Sequence, residues 1–500
     1  MAGFRLLEVI HFFLPILPEI ETPTDKLSLD EKIIFTIGSG LIFLISQLPL
    51  FGLVSDAQLK INDPFIPIRS IFALEKGTLL ELGLLPVITS AFIWQIAAGS
   101  RFLKVNLSYR IDRELYQTGQ KLTAFILAIA FGTGLILSGY YDDVIHGYNP
   151  LDSSSAKPLW TYALIFGQIV GWNWLVTLLV EIFDKGYGFG SGVLCFVTLQ
   201  VATNLIRDIV GLEIVALPNS NKTESFGAVT NFVKNLYPLN FSNISANFLN
   251  SFNRLSLPNL TQFYISLATI LVTIGLQNFR TELPIRSTKV RGMNNVFPIR
   301  LLYTGALPIF FAFAVIANIQ IAGFFLVKLL SIYSPFAASI LGSYQRDSKS
   351  ATLNLSNGIL FYLSPPSSLV QAALSPIRVV TYSATIILLS CWFAQFWSKI
   401  SGSAPKDIAK QFKDQGISIA GKRDVSVAKE LSRVIPVASV SGAFVLAALA
   451  IASEIFGGFG KGVGAIVGVS SAFGVLEEFM LEWQQSGGAS QFQNAFGGAQ

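Results

Sequence analysis

Ten separate stretches of this chain are apolar over about 20 residues each, the length an α-helix needs to cross a bilayer core about 30 Å thick. They lie near 33–54, 78–100, 119–139, 160–182, 187–206, 260–279, 301–327, 378–398, 434–453 and 463–481. Hydrocarbon offers no partner to a free N–H or C=O, so runs of this kind fold as helices. The sequence therefore predicts an all-α polytopic membrane protein with ten transmembrane helices. Composition agrees: 13% of residues are charged, against about 25% in a typical soluble domain. A disordered or fibrous chain is excluded, because Phe occurs 41 times and Gly and Pro follow no period. Cys195 and Cys391 both sit in apolar runs, which excludes a disulfide framework.

Residues 2–17 (AGFRLLEVIHFFLPIL) are too short to span and are followed by PEIETPTDK, where a signal peptide would need a small-residue cleavage site. With Arg5 and Glu8 among Leu6, Leu7, Ile10 and Phe13, the reading is an interfacial amphipathic helix. Ten spans place both termini on one side. With that side cytosolic, loops 101–121, 183–190, 280–300 and 399–433 carry 19 basic residues in 85 positions. That density is nearly three times that of the opposite loops, as orientation by Lys and Arg requires. Sequons at Asn221, Asn240, Asn243 and Asn259 fall in or beside one non-cytosolic loop.

The span interiors are nearly free of charge, whereas ion-coupled transport needs ionisable groups at membrane depth. Glu81, Glu181, Glu454, Glu477 and Glu478 lie near span ends and read as interfacial side chains. His11 and His146 lie outside the spans and read as solvated. The sequence carries no phosphate-cradling glycine loop, no metal-ligand spacing and no nucleophile elbow. No catalytic residue, metal or cofactor is expected, and the chain is not expected to be an enzyme.

Two features remain. GLLP at 83–86 is echoed by GALP at 305–308, so proline interrupts spans 2 and 7 at matching places in two pseudo-symmetric five-helix halves. Such a repeat points to a site at the interface of the halves. Loops 280–300 and 399–433 carry more basic residues than orientation needs, and suit docking onto a polyanion such as ribosomal RNA.

At these residues the chain resembles the SecY family, the pore-forming alpha subunit of the Sec translocon. The resemblance rests on FLPILPEIETP near the N-terminus, GTLLELGLLPVITS at span 2 and KGYGFGSG at 185–192. It continues in FRTELPIRSTKVRG at 279–292, FPIRLLYTGALPI at 297–309, GILFYLSPPSS at 358–368 and SAPKDIAKQFKDQGISIAGKRD at 403–424. The loops resemble the endoplasmic reticulum form more than the bacterial one.

The resemblance implies a cytosolic amphipathic segment (1–32), a first five-helix half (33–206), a luminal plug near 57–75 and a luminal hinge loop (207–259). A second half (260–485) and a disordered polar tail (486–500) follow. The implied pore ring is Leu84, Ile88, Val193, Val197, Phe310 and Val467. Leu84/Ile88 and Val193/Val197 are i,i+4 pairs that each present two apolar side chains on one helix face. A ring of such groups resists ions yet deforms around a passing chain. Without the resemblance these positions read as ordinary packing or lipid-facing residues. The implied lateral gate, between spans 2–3 and 7–8, includes Thr89, Gln95 and Asn318. Phe131 stands where the family pattern is usually polar, which suggests a diverged fungal paralogue. Arg291, Lys422 and Arg423 are the implied ribosome-binding residues. Implied partners are the ribosome (its RNA and exit-tunnel proteins), the nascent polypeptide with its signal sequence, small single-span beta and gamma subunits, and the lipid bilayer. The expected function is a protein-conducting channel of the endoplasmic reticulum membrane. A secondary transporter and a non-conducting ribosome receptor are the rival readings.

Overall fold

Prolines, glycines and caps set where the apolar runs begin and end as helices. The computed structural model describes residues 10–485 except 14, 16, 26, 55–61, 101, 104, 106–108, 148–157, 217–222, 237–240, 253, 255–256, 288–293, 347–352, 367, 401–404, 416 and 420–423. Among these, eight helices are long and apolar enough to cross a membrane. They are α4 (Arg110–Leu137), α5 (Leu159–Asp184), α6 (Gly192–Val210), α9 (Leu260–Gln277), α10 (Leu307–Tyr333), α14 (Pro376–Ile400), α16 (Asp424–Ile455) and α17 (Lys461–Gln485).

The other two expected spans fold as shorter helices. The first is α1 (Leu29–Ile45), 17 residues long and opened by a capping box in which Ser28 and Glu31 bond reciprocally. It stops before Pro49, whose backbone bridges to Thr78. After the four-residue α2 (Ile66–Arg69), the second is α3 (Leu85–Gly99), 15 residues with proline in its first turn. The expected start at 78 is instead a run of turns, because Gly77 and Gly83 adopt left-handed backbone angles.

The spans are helical as expected, and three small antiparallel sheets occur in the loops between them. Strands β1 (Ile214–Ala216) and β2 (Thr223–Ser225) pair, followed by α7 (Ala228–Lys234) and α8 (Phe241–Phe252). Strands β3 (Arg280–Ser287) and β4 (Asn294–Arg300) form a hairpin with Arg280 opposite Arg300. After α11 (Pro335–Leu341), β5 (Ser343–Arg346) pairs with β6 (Leu353–Asn357). The short α12 (Ile359–Tyr362) and α13 (Leu369–Leu374) precede α14, and α15 (Pro405–Gln415) with β7 (Ile417–Ile419) precedes α16.

The chain divides into two compact units. Unit 1 comprises Met1–Phe263, Asn318–Phe361 and Ser471–Gln500, and unit 2 comprises Tyr264–Ala317 and Tyr362–Ser470. In unit 1, Phe43 of α1 stacks on Phe196 of α6 at 4.7 Å, and Phe183 of α5 meets the same ring edge-on. Arg254 knits the segment before α9 together, donating to the Ser225, Phe226 and Pro258 carbonyls and pairing with Glu224. Asn259 accepts from the Gln262 N–H at 2.9 Å and so caps α9.

In unit 2, α14 packs along α16, and Gly442 of α16 lies so close to Leu301 that a Cβ would stand 2.2 Å from its carbonyl oxygen. Beyond the membrane spans, β7 adds to β3, and α15 lays Ile408 and Phe412 against Ile299, Val427, Leu431 and Ile435. The two long basic loops thus share one hydrophobic core. Their side chains alternate apolar-in along β3, where Leu283 and Ile285 face that core.

Candidate functional site

The turn before α3 is held from below and from the side. Gly83 has φ +52°, and a Cβ there would stand 2.5 Å from the Ala73 carbonyl oxygen and 2.7 Å from that of Phe72. Only glycine combines that angle with that approach. The N–H of Leu84, the first expected ring residue, then donates to the Phe72 carbonyl at 3.0 Å. From α5, the Asn173 side chain donates to the Gly83 carbonyl at 2.8 Å. The segment expected as a plug therefore ends in direct backbone contact with the start of the ring. Of that segment, residues 57–61 lie outside the described residues; Phe65, Ile68, Ile71, Phe72 and Ala73 are buried.

A buried ionic network fastens the plug from its other side. Arg69 pairs bidentately with Asp63, donates to Glu81 at 2.8 Å and to the Tyr140 hydroxyl at 2.7 Å. Glu81 also accepts from the Gly77 N–H. Burial works against both charges of the Asp63–Arg69 pair, but each outweighs it for the other. The guanidinium holds the Asp63 carboxyl below its usual range, and Asp63, Tyr140 and Glu81 hold Arg69 well above its own. The expectation that Glu81 is interfacial is corrected, since it is 2% exposed and ion-paired. Glu181 and Glu454 are likewise buried, Glu181 against Lys121 at 2.8 Å and Glu454 accepting from the Gly460 N–H.

The expected ring residues are placed as follows. In unit 1, Leu84, Ile88 and Val197 are buried and Val193 is half-buried; in unit 2, Phe310 and Val467 are buried. The Ile88 N–H donates to the Leu84 carbonyl, so the first pair occupies one turn of α3.

Among the gate residues, the structure brings Thr89 and Asn318 together: the Asn318 amide donates to the Thr89 hydroxyl at 2.9 Å. Gln95 is half-buried six residues along α3, and Phe131 is buried on α4. Arg291, Lys422 and Arg423 lie outside the described residues.

Sequence reasoning missed the contacts of the plug segment with α10 and β6, and of α4 with α10. Phe65 meets Phe324 of α10 edge-on at 5.4 Å, and the Asp63 carbonyl accepts from the Leu353 N–H of β6. Farther along α4, Gly134 lies against Phe325, whose ring would stand 2.4 Å from a Cβ. The dipeptide Phe324-Phe325 in an apolar run carries no signal of its own. A small residue opposite a large one was the only cue, and it is common in membrane helices.

A polytopic helical protein with a short re-entrant segment docked under an apolar helix turn belongs to the class of plugged membrane channels. The comparisons make this specific. Residues 78–476 match the SecY family and residues 41–77 the plug domain of Sec61p, so the chain belongs to the SecY family. It is 40% identical over 500 residues to the Sec sixty-one protein homolog of Saccharomyces cerevisiae, covering 99% of both chains. To the protein transport protein SEC61 subunit alpha of Neurospora crassa it is 35% identical over 484 residues, covering 95% of this chain and 96% of the relative. Among solved structures it resembles a chain of the idle yeast Ssh1 complex bound to the yeast 80S ribosome. There the TM-score is 0.76 at 39% identity, covering 98% of this chain and 97% of the other.

Proposed function

We propose that the chain is the protein-conducting subunit of an endoplasmic reticulum translocon. It passes secretory chains across the membrane and membrane segments sideways into it. The observation that carries this reading is the bond from Leu84 to Phe72: an apolar turn at the expected constriction sits directly on a removable segment. A ring of Leu84, Ile88, Val193, Val197, Phe310 and Val467 makes no directional bonds, so it seals against ions and yields to a polypeptide. Thr89, Gln95, Phe131 and Asn318 line the sideways exit. The halves are 33–206 and 260–485, linked by the luminal hinge 207–259, and both termini are cytosolic.

Ribosome docking falls to Arg291, Lys422 and Arg423 on the cytosolic loops, which contact ribosomal RNA phosphates and exit-tunnel proteins. Small beta and gamma subunits complete the assembly. The chain performs no chemistry, and the ribosome or another motor supplies the energy. Greater identity to the Sec sixty-one protein homolog than to the SEC61 alpha subunit supports a fungal paralogue of the main channel.

The test is a photocrosslinker at Ile88 or Phe310 in a channel engaged by a stalled nascent chain. Labelling of the nascent chain is the expected result. Labelling of lipid and neighbouring helices alone would overturn the pore assignment.

A further inference from the structure

The plug segment and the hinge loop meet at one guanidinium. Arg207 stands in the last turn of α6, the helix that also carries Val193 and Val197. Its Nη1 donates to Glu75, at the end of the plug segment, at 2.6 Å. Its Nη2 donates to Glu213, just past α6 in the hinge loop, at 3.2 Å. The guanidinium also lies over the ring of Phe226, farther along that loop, 4.7 Å from its centroid. All of these residues belong to unit 1.

The end of the plug is gripped from two points. Gln200, two turns earlier on the same face of α6, donates to the other Glu75 oxygen at 3.0 Å. Gln200 is fully buried, and its side-chain oxygen accepts from Gln47, just after α1, at 2.9 Å. One amide thus points at the plug because another holds it from behind. Glu213 is the looser partner of Arg207, its side chain 59% exposed against 15% for Glu75. The guanidinium still has a donor to spare, since Arg207 Nε is buried with no hydrogen-bond partner among the described residues. A fork on one carboxylate uses two parallel N–H donors, and here the donors are divided between two carboxylates.

We propose that Arg207 is a two-position latch between the hinge loop and the plug, an inference that rests on the plugged-channel reading above. In the idle channel it holds Glu75 against α6. When the hinge loop moves as the halves part, the guanidinium closes its fork on Glu213 and frees the end of the plug. Exchange suits a half-buried cation, because it keeps a charged partner throughout, whereas simple rupture would strand one. Gln200 then remains as a neutral and weaker hold on Glu75. Arg207 touches no reacting group and is a positioning residue. It acts on the seal by deciding where Glu75 sits.

The experiment uses the full-length chain with the subunits that accompany it. Planar bilayers give the resting conductance, and microsomes give the insertion of a reporter with a marginal signal sequence. Glu75→Gln and Arg207→Gln should each raise resting conductance about fivefold. The double variant should match the singles, since each removes the same bond. Glu213→Gln should act in the opposite direction, because Glu75 then has no rival for the guanidinium. The idle channel should open less often, and reporter insertion should fall about threefold. An unchanged elution profile shows that the variants fold. If Arg207 only stiffened the hinge loop, Glu213→Gln would shift conductance the same way as Arg207→Gln, and that result overturns the latch. So do additive effects of Glu75→Gln and Arg207→Gln, or an unchanged conductance in Glu75→Gln. A photocrosslinker at Ile88, in the parent and in Glu75→Gln, separates this failure from that of the channel reading. Labelling of a stalled nascent chain with conductance unchanged would sink the latch alone; no labelling in either channel would sink both.

Discussion

The Asn318 amide donates to the Thr89 hydroxyl at 2.9 Å, within unit 1, joining α10 to α3. Both side chains are half-buried. Inter-helix hydrogen bonds in membranes contribute about 1 kcal/mol, because separated helices find other partners. As the closing contact of the proposed lateral gate, so small a term leaves that gate poised, not locked.

Thr89→Val keeps the shape and removes the hydroxyl, and Asn318→Leu removes the donor. Each should favour the open gate by about fivefold, the equivalent of about 1 kcal/mol. Marginally hydrophobic signal sequences should then insert more efficiently in a reporter-integration assay. The double variant should match the singles, since each removes the same bond. Additive effects would show that the pair does not act as a unit.

Arg69 is the cation on which the plug network converges, with Asp63, Glu81 and Tyr140 around it. Arg69→Gln leaves two buried carboxylates without their partner, a loss of about 3 kcal/mol or more. The resting channel should leak small ions in planar-bilayer recordings. Adding Asp63→Asn should restore part of the seal, because one orphaned charge is removed. Unchanged resting conductance in R69Q would mean the network does not hold the plug.

Gly83→Ala tests the same seal without touching charge. The new Cβ would stand 2.5 Å from backbone at Ala73, at a φ of +52° that alanine adopts poorly. Backbone cannot step aside as a side-chain tip can, so the plug must shift away from Leu84. Raised resting conductance with normal ribosome binding is the expected result. A substitution to alanine at the exposed Gly275 of α9, which has open space around it and no left-handed backbone angle, should leave conductance unchanged.

Much of this architecture was legible from the apolar runs alone, because hydrocarbon leaves a chain few ways to pair its backbone. The spacing of Leu84 and Ile88 placed them one helical turn apart, as the Ile88 N–H to Leu84 carbonyl bond has them, while a ring role is implied by the family resemblance alone. Arg69 was not: its partners Asp63, Glu81 and Tyr140 lie up to 71 residues away in sequence. Near a span end, a buried ion pair and an interfacial carboxylate look alike, which is why Glu81 and Glu181 were misread. The β3 strand was hidden by its charges. RTELPIRS drew attention to its arginines, while Leu283 and Ile285 were turning inward with the period of a strand.

Reversing charge at Arg291 and Arg423 together should weaken binding to translating ribosomes at moderate salt. The salt dependence should also flatten, by about one unit of slope per phosphate contact removed. Cosedimentation across a salt series measures both quantities. Unchanged affinity would mean that these charges only orient the chain.

Phe412 separates the loops' fold from their charge. It is buried against Ile299, Val427, Leu431 and Ile435, and its ring meets Phe297 edge-on at 5.1 Å. Phe412→Ala empties the centre of the small core shared by β3, β4, α15 and α16, at a cost of about 3 kcal/mol. No basic residue changes. If docking needs the two loops held as one surface, ribosome affinity should fall while the salt slope stays near that of the parent chain. Limited proteolysis should cut faster within 280–300 and 399–433, with the spans untouched. If instead each loop binds independently, the variant should be cut faster yet bind as before. Affinity and cleavage rate measured on the same preparation therefore decide whether the shared core is part of the docking surface.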